Sequence, residues 1–259
     1  MKKILCVLLA GLVILPVTGC AGPTGQELLD AAGTAEIPLE ILGGLDEKTL
    51  DDLIEEPKYV AITFDDGPHP DTTGRLLDGL LERGATATFF VIGEQIAGNE
   101  ALLRRMRDEG HQIGNHTYSH VRLLNADKDS VAEEVQKVEV LLREAVGKGS
   151  FWLRPPYGAI NGERAKLIKT PMIYWSVDPQ DWKLRDKEKV VEAVLGEVQP
   201  GDIILLHDCY ATSVDAALEI IDRLQDEGYD FVTVEELFRI QGIEPQPGTL
   251  YARPDRIRI

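Results

Sequence analysis

The sequence is poor in cysteine, with only three among its 259 residues. Cys6 and Cys20 lie at the N-terminus, which leaves Cys209, and one cysteine cannot close an intramolecular disulfide. The fold must therefore depend on its hydrophobic core, which a hydrophobic content of 44% can supply. We interpret Cys209 as a small apolar residue at a strand end rather than as a thiol nucleophile.

Basic residues are also scarce, because 27 lysines and arginines face 44 acidic residues and give a net charge of −17. No basic stripe is available to neutralise phosphates, so we expect no nucleic-acid partner. Most acidic surfaces are simply solvated, and the charge excludes little else.

The sequence lacks an apolar run long enough to span a bilayer in its N-terminal region, where Ile4 to Val17 falls short of the roughly 20 residues required. Lys2 and Lys3 precede this run, which indicates a signal peptide. The run ends in Val17-Thr18-Gly19-Cys20, which is similar to a bacterial lipoprotein cleavage box. We therefore predict a lipoprotein signal peptide over residues 1–19 and a lipid on Cys20, with an ordinary signal peptide or an uncleaved anchor as alternatives.

Residues 20–57 are rich in Gly, Pro, Asp and Glu and are predicted to be a membrane-proximal linker with one short helix at Glu47–Ile54. From residue 58 the pattern alternates between strands and helices. The predicted strands are Tyr59–Phe64, Ala87–Val91, Gln112–Asn115, Phe151–Leu153, Ile173–Trp175, Ile203–Leu206 and Phe231–Thr233. The predicted helices are Thr72–Arg83, Ala101–Asp108, Ser130–Val146, Asn161–Ile168, Lys187–Val198 and Val214–Asp226.

This alternation predicts an α/β fold with parallel strands and right-handed crossovers. About seven units over residues 58–240 indicate a small, incomplete barrel, in which the C-terminal strand ends carry the site. Residues 241–259 are predicted to be a C-terminal tail. Its basic stretch Arg253–Arg258 suits either contact with an anionic wall polymer or a frayed end.

Two adjacent carboxylates, Asp65 and Asp66, follow the first strand and precede Gly67-Pro68. Neighbouring side chains alternate along an extended chain, so a turn is needed before both approach one point. One can then bind a cation while the other acts as a base. An Asx turn or helix N-cap is the structural alternative.

His116 and His120 follow the third strand with a spacing of i and i+4, which we expect to place both on one face of a helical turn. Two imidazoles and one carboxylate with open coordination positions suit hydrolytic zinc. The same ligand set also suits non-haem iron(II) oxygenases.

Three further polar segments follow later strands. Arg154-Pro155-Pro156-Tyr157-Gly158 offers a planar guanidinium to a carboxylate and holds a backbone N–H at Tyr157. Asp178-Pro179-Gln180-Asp181-Trp182 brings another carboxylate, and Leu205-Leu206-His207 ends in a histidine better suited to an acid than to a third ligand. His69 and His111 are given no chemistry.

In this order, the five segments resemble the motifs of the polysaccharide deacetylases, the carbohydrate esterase family 4 enzymes with a NodB homology domain, here of a lipoprotein type. The resemblance covers roughly residues 58–240, with no departure at an expected functional position. It implies a distorted (β/α) barrel with about seven units. It also implies that Asp66, His116 and His120 bind a divalent metal, usually zinc and sometimes cobalt or another ion.

The resemblance further implies a role for each remaining position. Asp65 would be the general base held by Arg154, and Tyr157 would give its N–H to the oxyanion. Asp181 would orient His207, the general acid. Trp182 and Leu205 would wall the acetyl pocket, and Tyr157 would also contact the substrate.

The expected function is removal of N-acetyl groups from a cell-envelope polysaccharide, most simply from peptidoglycan N-acetylglucosamine or N-acetylmuramic acid. The expected substrate is peptidoglycan or a chitin-like polymer, and the expected enzyme is a monomer that is lipid-anchored on the extracytoplasmic face of the membrane. O-acetyl ester cleavage on xylan or an exopolysaccharide, and sugar binding without catalysis, are the alternatives. The oxygenase reading fails because His207 and Asp181 have no task in oxygen activation. The residues do not specify the sugar or the metal.

Overall fold

The computed structural model describes residues 57–259. The predicted signal peptide, Cys20, the linker up to residue 56 and the helix expected at Glu47–Ile54 lie outside those residues. Among residues 57–259, no helix combines the length and the apolar character needed to cross a bilayer.

Parallel strands and helices alternate along the chain, as the sequence predicts. The strands are β1 (Lys58–Asp65), β2 (Thr88–Val91), β3 (Gln112–Asn115), β4 (Met172–Ile173), β5 (Ile203–His207), β6 (Tyr229–Phe231), β7 (Leu250–Arg253) and β8 (Arg256–Ile257). The helices are α1 (Thr73–Glu82), α2 (Glu100–Asp108), α3 (Lys128–Val146), α4 (Gly162–Ala165), α5 (Asp181–Leu184), α6 (Lys187–Leu195), α7 (Ala211–Asp226) and α8 (Val234–Ile240), with short 3₁₀ turns at Gly93–Gln95 and Pro156–Gly158.

Strand β1 is the centre of the sheet and pairs in parallel with β2, β5 and, at its start, β6. Strand β3 continues the sheet beyond β2. In this register Asp65 lies opposite His207 on β5. The residues predicted to be base and acid are therefore level with each other at the same end of adjacent strands.

Beyond β3 the sheet continues around the barrel through single bridges rather than full ladders. Leu153 bridges Asn115 on one side and Met172 on the other, and Val177 bridges Ile204. The strand predicted at Phe151–Leu153 is thus reduced to one bridging residue, Leu153, because the prolines that follow Arg154 have no N–H to extend a ladder. The mostly parallel sheet with surrounding helices fits the predicted distorted (β/α) barrel.

Residues 241–259 differ from the predicted tail, because they contribute two strands to the domain. β7 pairs in parallel with β4, and β8 pairs antiparallel with β7. Leu250 and Tyr251 are buried, so removing this segment would expose core. In the sequence β7 is marked by only three consecutive apolar residues. The basic residues that follow them are more typical of a surface tail.

The alternation of side chains along β1 separates two environments. Val60, Ile62 and Phe64 join the core between the sheet and the outer helices, where Phe64 stacks on Phe89 at 5.3 Å between ring centroids. Thr63 and Asp65 have the opposite parity and are also buried. The period of two thus turns Asp65 away from the helices and into the barrel interior.

His111 precedes β3 and is a buried structural histidine, with Nδ1 accepting the Ala87 N–H at 3.2 Å. Burial lowers the pKa of His111 to about 4; the nearby charge of Glu109 opposes this shift and that of Arg105 adds to it. Its folded pKa is below the unfolded value near 6.5. This histidine therefore contributes stability above pH 6.5 that is lost as the pH falls towards 4.

We predict that the free energy of unfolding falls less steeply between pH 6.5 and 4 in His111→Gln than in the wild type. Glutamine cannot take up a proton in this range, whereas His111 must be protonated inside the fold. Between pH 6.5 and 4 the wild type should lose roughly 2–3 kcal/mol more unfolding free energy than the variant. Urea unfolding at several pH values measures both losses. Identical pH slopes in both proteins would contradict this assignment.

Candidate active site

A cleft of about 350 Å³ opens at the C-terminal ends of β1 and β5, where the barrel rule places a site. Each of the five polar segments contributes at least one side chain to this cleft. Arg154 and Asp181 belong to these segments but are buried and do not line it. The lining residues are Asp65, Asp66, His116, His120, Tyr157, Trp175, Asp178, Trp182, Leu205, His207 and Tyr210.

Asp65 is held by a buried ion pair with Arg154. The guanidinium donates from Nη1 to Asp65 Oδ1 at 2.8 Å and to Thr63 Oγ1 at 2.7 Å, and from Nη2 to the Tyr174 carbonyl at 2.8 Å. Arg154 is fully buried. One carboxylate oxygen of Asp65 is thus committed to Arg154, and Oδ2 points towards His116 Nε2, 3.6 Å away.

Asp66, His116 and His120 form the group that can hold a metal, with one ligand atom from each residue and all three atoms within 4.8 Å of one another. Asp66 Oδ1 is buried without a hydrogen-bond partner. It lies 3.6 Å from His116 Nε2 and 3.4 Å from His120 Nε2. An orphaned carboxylate oxygen facing two imidazole nitrogens fits a divalent cation.

The orientation of His116 also fits a metal ligand. Its Nδ1 lies 2.7 Å from the Arg154 carbonyl oxygen. A carbonyl can only accept, so the proton is on Nδ1 and the Nε2 lone pair faces Asp66. Such a backbone bond fixes the tautomer of a ligating histidine.

The two histidines do not share a helical turn, and that expectation was wrong. Residues 116–120 form a loop in which Thr117 and His120 adopt positive φ angles of 65° and 56°. Ser119 anchors the loop by donating from its N–H and its hydroxyl to Glu134 on α3. The loop brings the two imidazoles to 5.0 Å between ring centroids, so the i, i+4 spacing pointed to the right pair through the wrong local structure.

Asp66 likewise adopts a positive φ of 75°. This left-handed residue swings the Asp66 carboxylate towards the histidines, whereas Asp65 continues the direction of β1. The change of direction that the sequence assigned to Gly67-Pro68 thus begins one residue earlier.

His207 is paired with Asp181, which is fully buried. The Asp181 carboxylate accepts from His207 Nδ1 at 2.8 Å and from the His207 N–H at 2.9 Å. Burial alone would lower the pKa of His207, but the Asp181 hydrogen bond and the charges of Asp181, Asp65 and Asp66 raise it to about 9. The imidazole is therefore a proton donor at neutral pH.

The remaining predicted residues lie around the same cleft. Tyr157 adopts a positive φ of 60° in the turn after Pro155, and its N–H has no backbone acceptor in residues 57–259. Trp182 is half exposed at the mouth, whereas Leu205 is buried in the wall. Trp175 and Tyr210 were missed by sequence reasoning, and Asp178 was named in a segment but given no role; all three line the cleft.

Asp208 was also missed, although it supports the metal site from behind. Its fully buried carboxylate accepts from Thr73 Oγ1, and its carbonyl accepts from Thr72 Oγ1. Burial raises the pKa of Asp208 to about 7. The carboxylate packs against Gly67, where a Cβ atom would lie 2.2 Å from Oδ2. Only its position directly after His207 could have indicated this role.

Cys209, the free cysteine of the described residues, is half-buried. Burial and the charge of Asp66 raise the pKa of its thiol to about 12. A thiolate is the nucleophilic form of cysteine, so this residue is a packing residue, as interpreted from the sequence.

A cation site beside an arginine-held carboxylate and a carboxylate-paired imidazole is the arrangement of a metal-assisted hydrolase. The family model for polysaccharide deacetylase matches residues 53–171. Among curated relatives, the peptidoglycan-N-acetylmuramic acid deacetylase PdaC of Bacillus subtilis is 39% identical over 78% of this chain and 43% of its own length. A peptidoglycan-N-acetylglucosamine deacetylase of Bacillus cereus is 38% identical over 70% of this chain and 89% of its own length.

A solved family 4 acetyl xylan esterase from Clostridium thermocellum, in complex with a cobalt ion, superposes with a TM-score of 0.72 at 32% identity, covering 76% of this chain and 98% of that one. The chain belongs to the polysaccharide deacetylase family. It spans less than half of the length of the Bacillus subtilis relative. Members of this family depend on a metal, and Asp66, His116 and His120 provide the site for one here.

We predict that Gly67→Ala lowers divalent-metal affinity about tenfold or more, the usual scale for disturbing the support of a ligand. The new Cβ would clash with Asp208 and push Asp66 out of position. Zinc titration monitored by calorimetry measures the effect. Gly74→Ala on α1 is the matched control, because its Cβ would meet only Leu102 at an ordinary 3.8 Å. Unchanged affinity in Gly67→Ala would refute the packing argument.

We also predict that Asp181→Asn lowers the pKa of His207 below its value of about 9 in the metal-free protein. The variant loses the interactions that raise this pKa and keeps the burial that lowers it. Histidine ring shifts measured by NMR across pH give both values. The proposed acid His207 must be protonated, so hydrolysis by the variant should begin to fall at a lower pH than hydrolysis by the wild type. An unshifted His207 titration would contradict the pairing with Asp181.

Proposed function

We propose that this protein is a metal-dependent deacetylase that removes N-acetyl groups from a cell-envelope polysaccharide, most simply peptidoglycan. The observation that carries this proposal is the register of Asp65 and His207 on neighbouring strands. It puts a base and an acid at one cleft, with the ligand group Asp66, His116 and His120 beside them.

A divalent cation held by these three residues would polarise the amide carbonyl and acidify a water molecule. Asp65 Oδ2 takes the proton from that water, because Oδ1 is already bonded to Arg154. The ion pair with Arg154 fixes the direction of the free oxygen of Asp65. Asp65 is therefore suited to be a base rather than a further ligand.

The developing oxyanion needs a donor from the protein, and the free N–H of Tyr157 is suited to that task. Preorganised donors of this kind contribute about 3–4 kcal/mol each to transition-state stabilisation. His207 then donates its Nε2 proton to the departing amine, while Asp181 holds Nδ1. Without that proton the amine would be a very poor leaving group.

We propose zinc as the metal, because two imidazoles, one carboxylate and open positions are typical of hydrolytic zinc sites. The cobalt ion in the Clostridium thermocellum esterase supports cobalt as a second candidate. The ligand set would accept either ion.

The substrate proposal draws on the relatives, whose names give peptidoglycan N-acetylmuramic acid and N-acetylglucosamine as their substrates. Ester cleavage is the second candidate, because the acetyl xylan esterase has the same fold. The Val17-Cys20 segment supports export and a lipid on Cys20, which would hold a monomer at the outer face of the cell membrane beside the wall.

The test is acetate release from peptidoglycan, from a soluble N-acetylglucosamine polymer and from acetylated xylan. We expect release from the first two, loss of release after chelation, and recovery on adding zinc, since the site needs a cation to polarise the carbonyl. The control variant Asp226→Asn alters an exposed carboxylate at the end of α7 and should behave as the wild type. Activity on xylan alone would favour the esterase, and release that survives chelation would refute the metal-dependent proposal.

A further inference from the structure

Most arginines of residues 57–259 form ion pairs with carboxylates, which is expected in a chain with a net charge of −17. Of the six arginines of residues 57–259 that form no ion pair there, three lie over aromatic rings: Arg122, Arg185 and Arg258. Within the described residues none of them pairs with a carboxylate, and each lies with its guanidinium over an aromatic ring. All three rings belong to the cleft or to the residue packed behind its wall.

Arg122 lies over Tyr157, with its Cζ atom 4.5 Å from the ring centroid. Tyr157 in turn contacts the metal-site histidine His120 at 4.7 Å between ring centroids. The loop that carries Arg122 is fixed by the buried Leu123 and by the Leu124 N–H, which donates to the Ala159 carbonyl. Arg122 is therefore attached to the wall that carries Tyr157.

Arg185 lies over Tyr210, with its Cζ atom 3.2 Å from the ring centroid. Tyr210 is 6.3 Å from the ring of His207. Arg185 Nε donates to the Trp182 carbonyl at 2.7 Å, which leaves its two terminal nitrogens unbonded in the described structure. This second guanidinium thus lies beside the proposed acid rather than beside the metal site.

Arg258 comes from the segment that the sequence suggested as a basic tail. Its N–H donates to the Leu250 carbonyl, and its guanidinium lies 3.8 Å from the ring centroid of Tyr174. Tyr174 stacks on Trp175, a cleft residue, at 3.8 Å and 12°. The segment after β8 therefore places a third cation on Tyr174, behind the cleft residue Trp175.

Stacking uses the face of a guanidinium and leaves the N–H groups at its edge free. Such an edge matches the two oxygens of a carboxylate. Asp65, Asp66 and Asp178 line the cleft itself, and Arg154 pairs with Asp65. The site therefore combines acidic lining residues, which suit a cation, with exposed arginines that stack on cleft tyrosines or on Tyr174 behind them, which suit an anionic substituent of the substrate.

We propose that Arg122, Arg185 and Arg258 bind carboxylate groups of the glycan on either side of the sugar that is deacetylated. This inference rests on the proposed function and narrows its substrate class to an anionic, carboxylate-bearing glycan, in preference to a neutral polymer such as xylan or an N-acetylglucosamine oligomer.

The test compares the triple variant Arg122→Gln, Arg185→Gln, Arg258→Gln with the wild type on peptidoglycan fragments and on neutral N-acetylglucosamine oligomers. We expect KM for the fragments to rise roughly tenfold, the scale of a few exposed ion pairs, with kcat and the neutral substrate almost unchanged. Added salt should raise the wild-type KM for fragments and affect the variant less. Arg→Lys at the same positions should recover part of the loss, because the charge returns.

Arg223→Gln is the matched control, because Arg223 is exposed on α7 and has no ion pair within the described residues. Strands with peptide stems present peptide carboxylates, whereas strands stripped of stems present the ether-linked acid of the sugar. If the triple variant still raises KM on stripped strands, the arginines bind the sugar carboxylate. If it raises KM only on strands with peptide stems, they bind the peptide carboxylates.

An equal rise in KM on neutral oligomers would overturn the inference, because it would show that the stacks only shape the cleft. An unchanged KM on every substrate would overturn it too. Direct calorimetric binding of fragments to the wild type and the triple variant, without turnover, gives an independent reading. If the wild type binds fragments through these arginines but releases no acetate, the proposed function fails and the carboxylate site stands.

Discussion

The buried guanidinium of Arg154 is the group on which the site depends. Arg154 fixes Asp65 through its guanidinium and fixes His116 through its backbone carbonyl. The same residue thus sets the direction of the proposed base and the tautomer of a proposed metal ligand. Because the ion pair is fully enclosed, removing one partner would leave an unpaired buried charge, at a cost of about 3–5 kcal/mol.

This arrangement gives two adjacent aspartates different partners. Asp65 keeps the extended backbone of β1 and turns inward to Arg154, whereas Asp66 has a left-handed backbone and turns to the histidines. His120 and Tyr157 adopt the same uncommon conformation at the other wall of the cleft. Non-glycine residues hold such angles only where the surrounding structure imposes them, here the Asp208 support behind Gly67 and the Glu134 anchor at Ser119.

Much of the fold and of the candidate site was predictable from local sequence signals. The buried strands were readable from apolar runs, and polar residues at their ends marked the site, because parallel strands bring those ends together. The conformation of the 116–120 loop could not be predicted, since none of its residues with a left-handed backbone is a glycine. β7 and the support from Asp208 were not readable either, because both depend on contacts between distant segments. The position of Arg258 beside Tyr174 follows from the same long-range pairing.

We propose that Asp65 acts as the base and Asp66 as a ligand of the metal. The most direct measurement is zinc content together with acetate release in Asp65→Asn and Asp66→Asn. We expect Asp65→Asn to keep its zinc and release no acetate, whereas Asp66→Asn should lose both. Loss of zinc from Asp65→Asn, or acetate release at the wild-type rate, would contradict it.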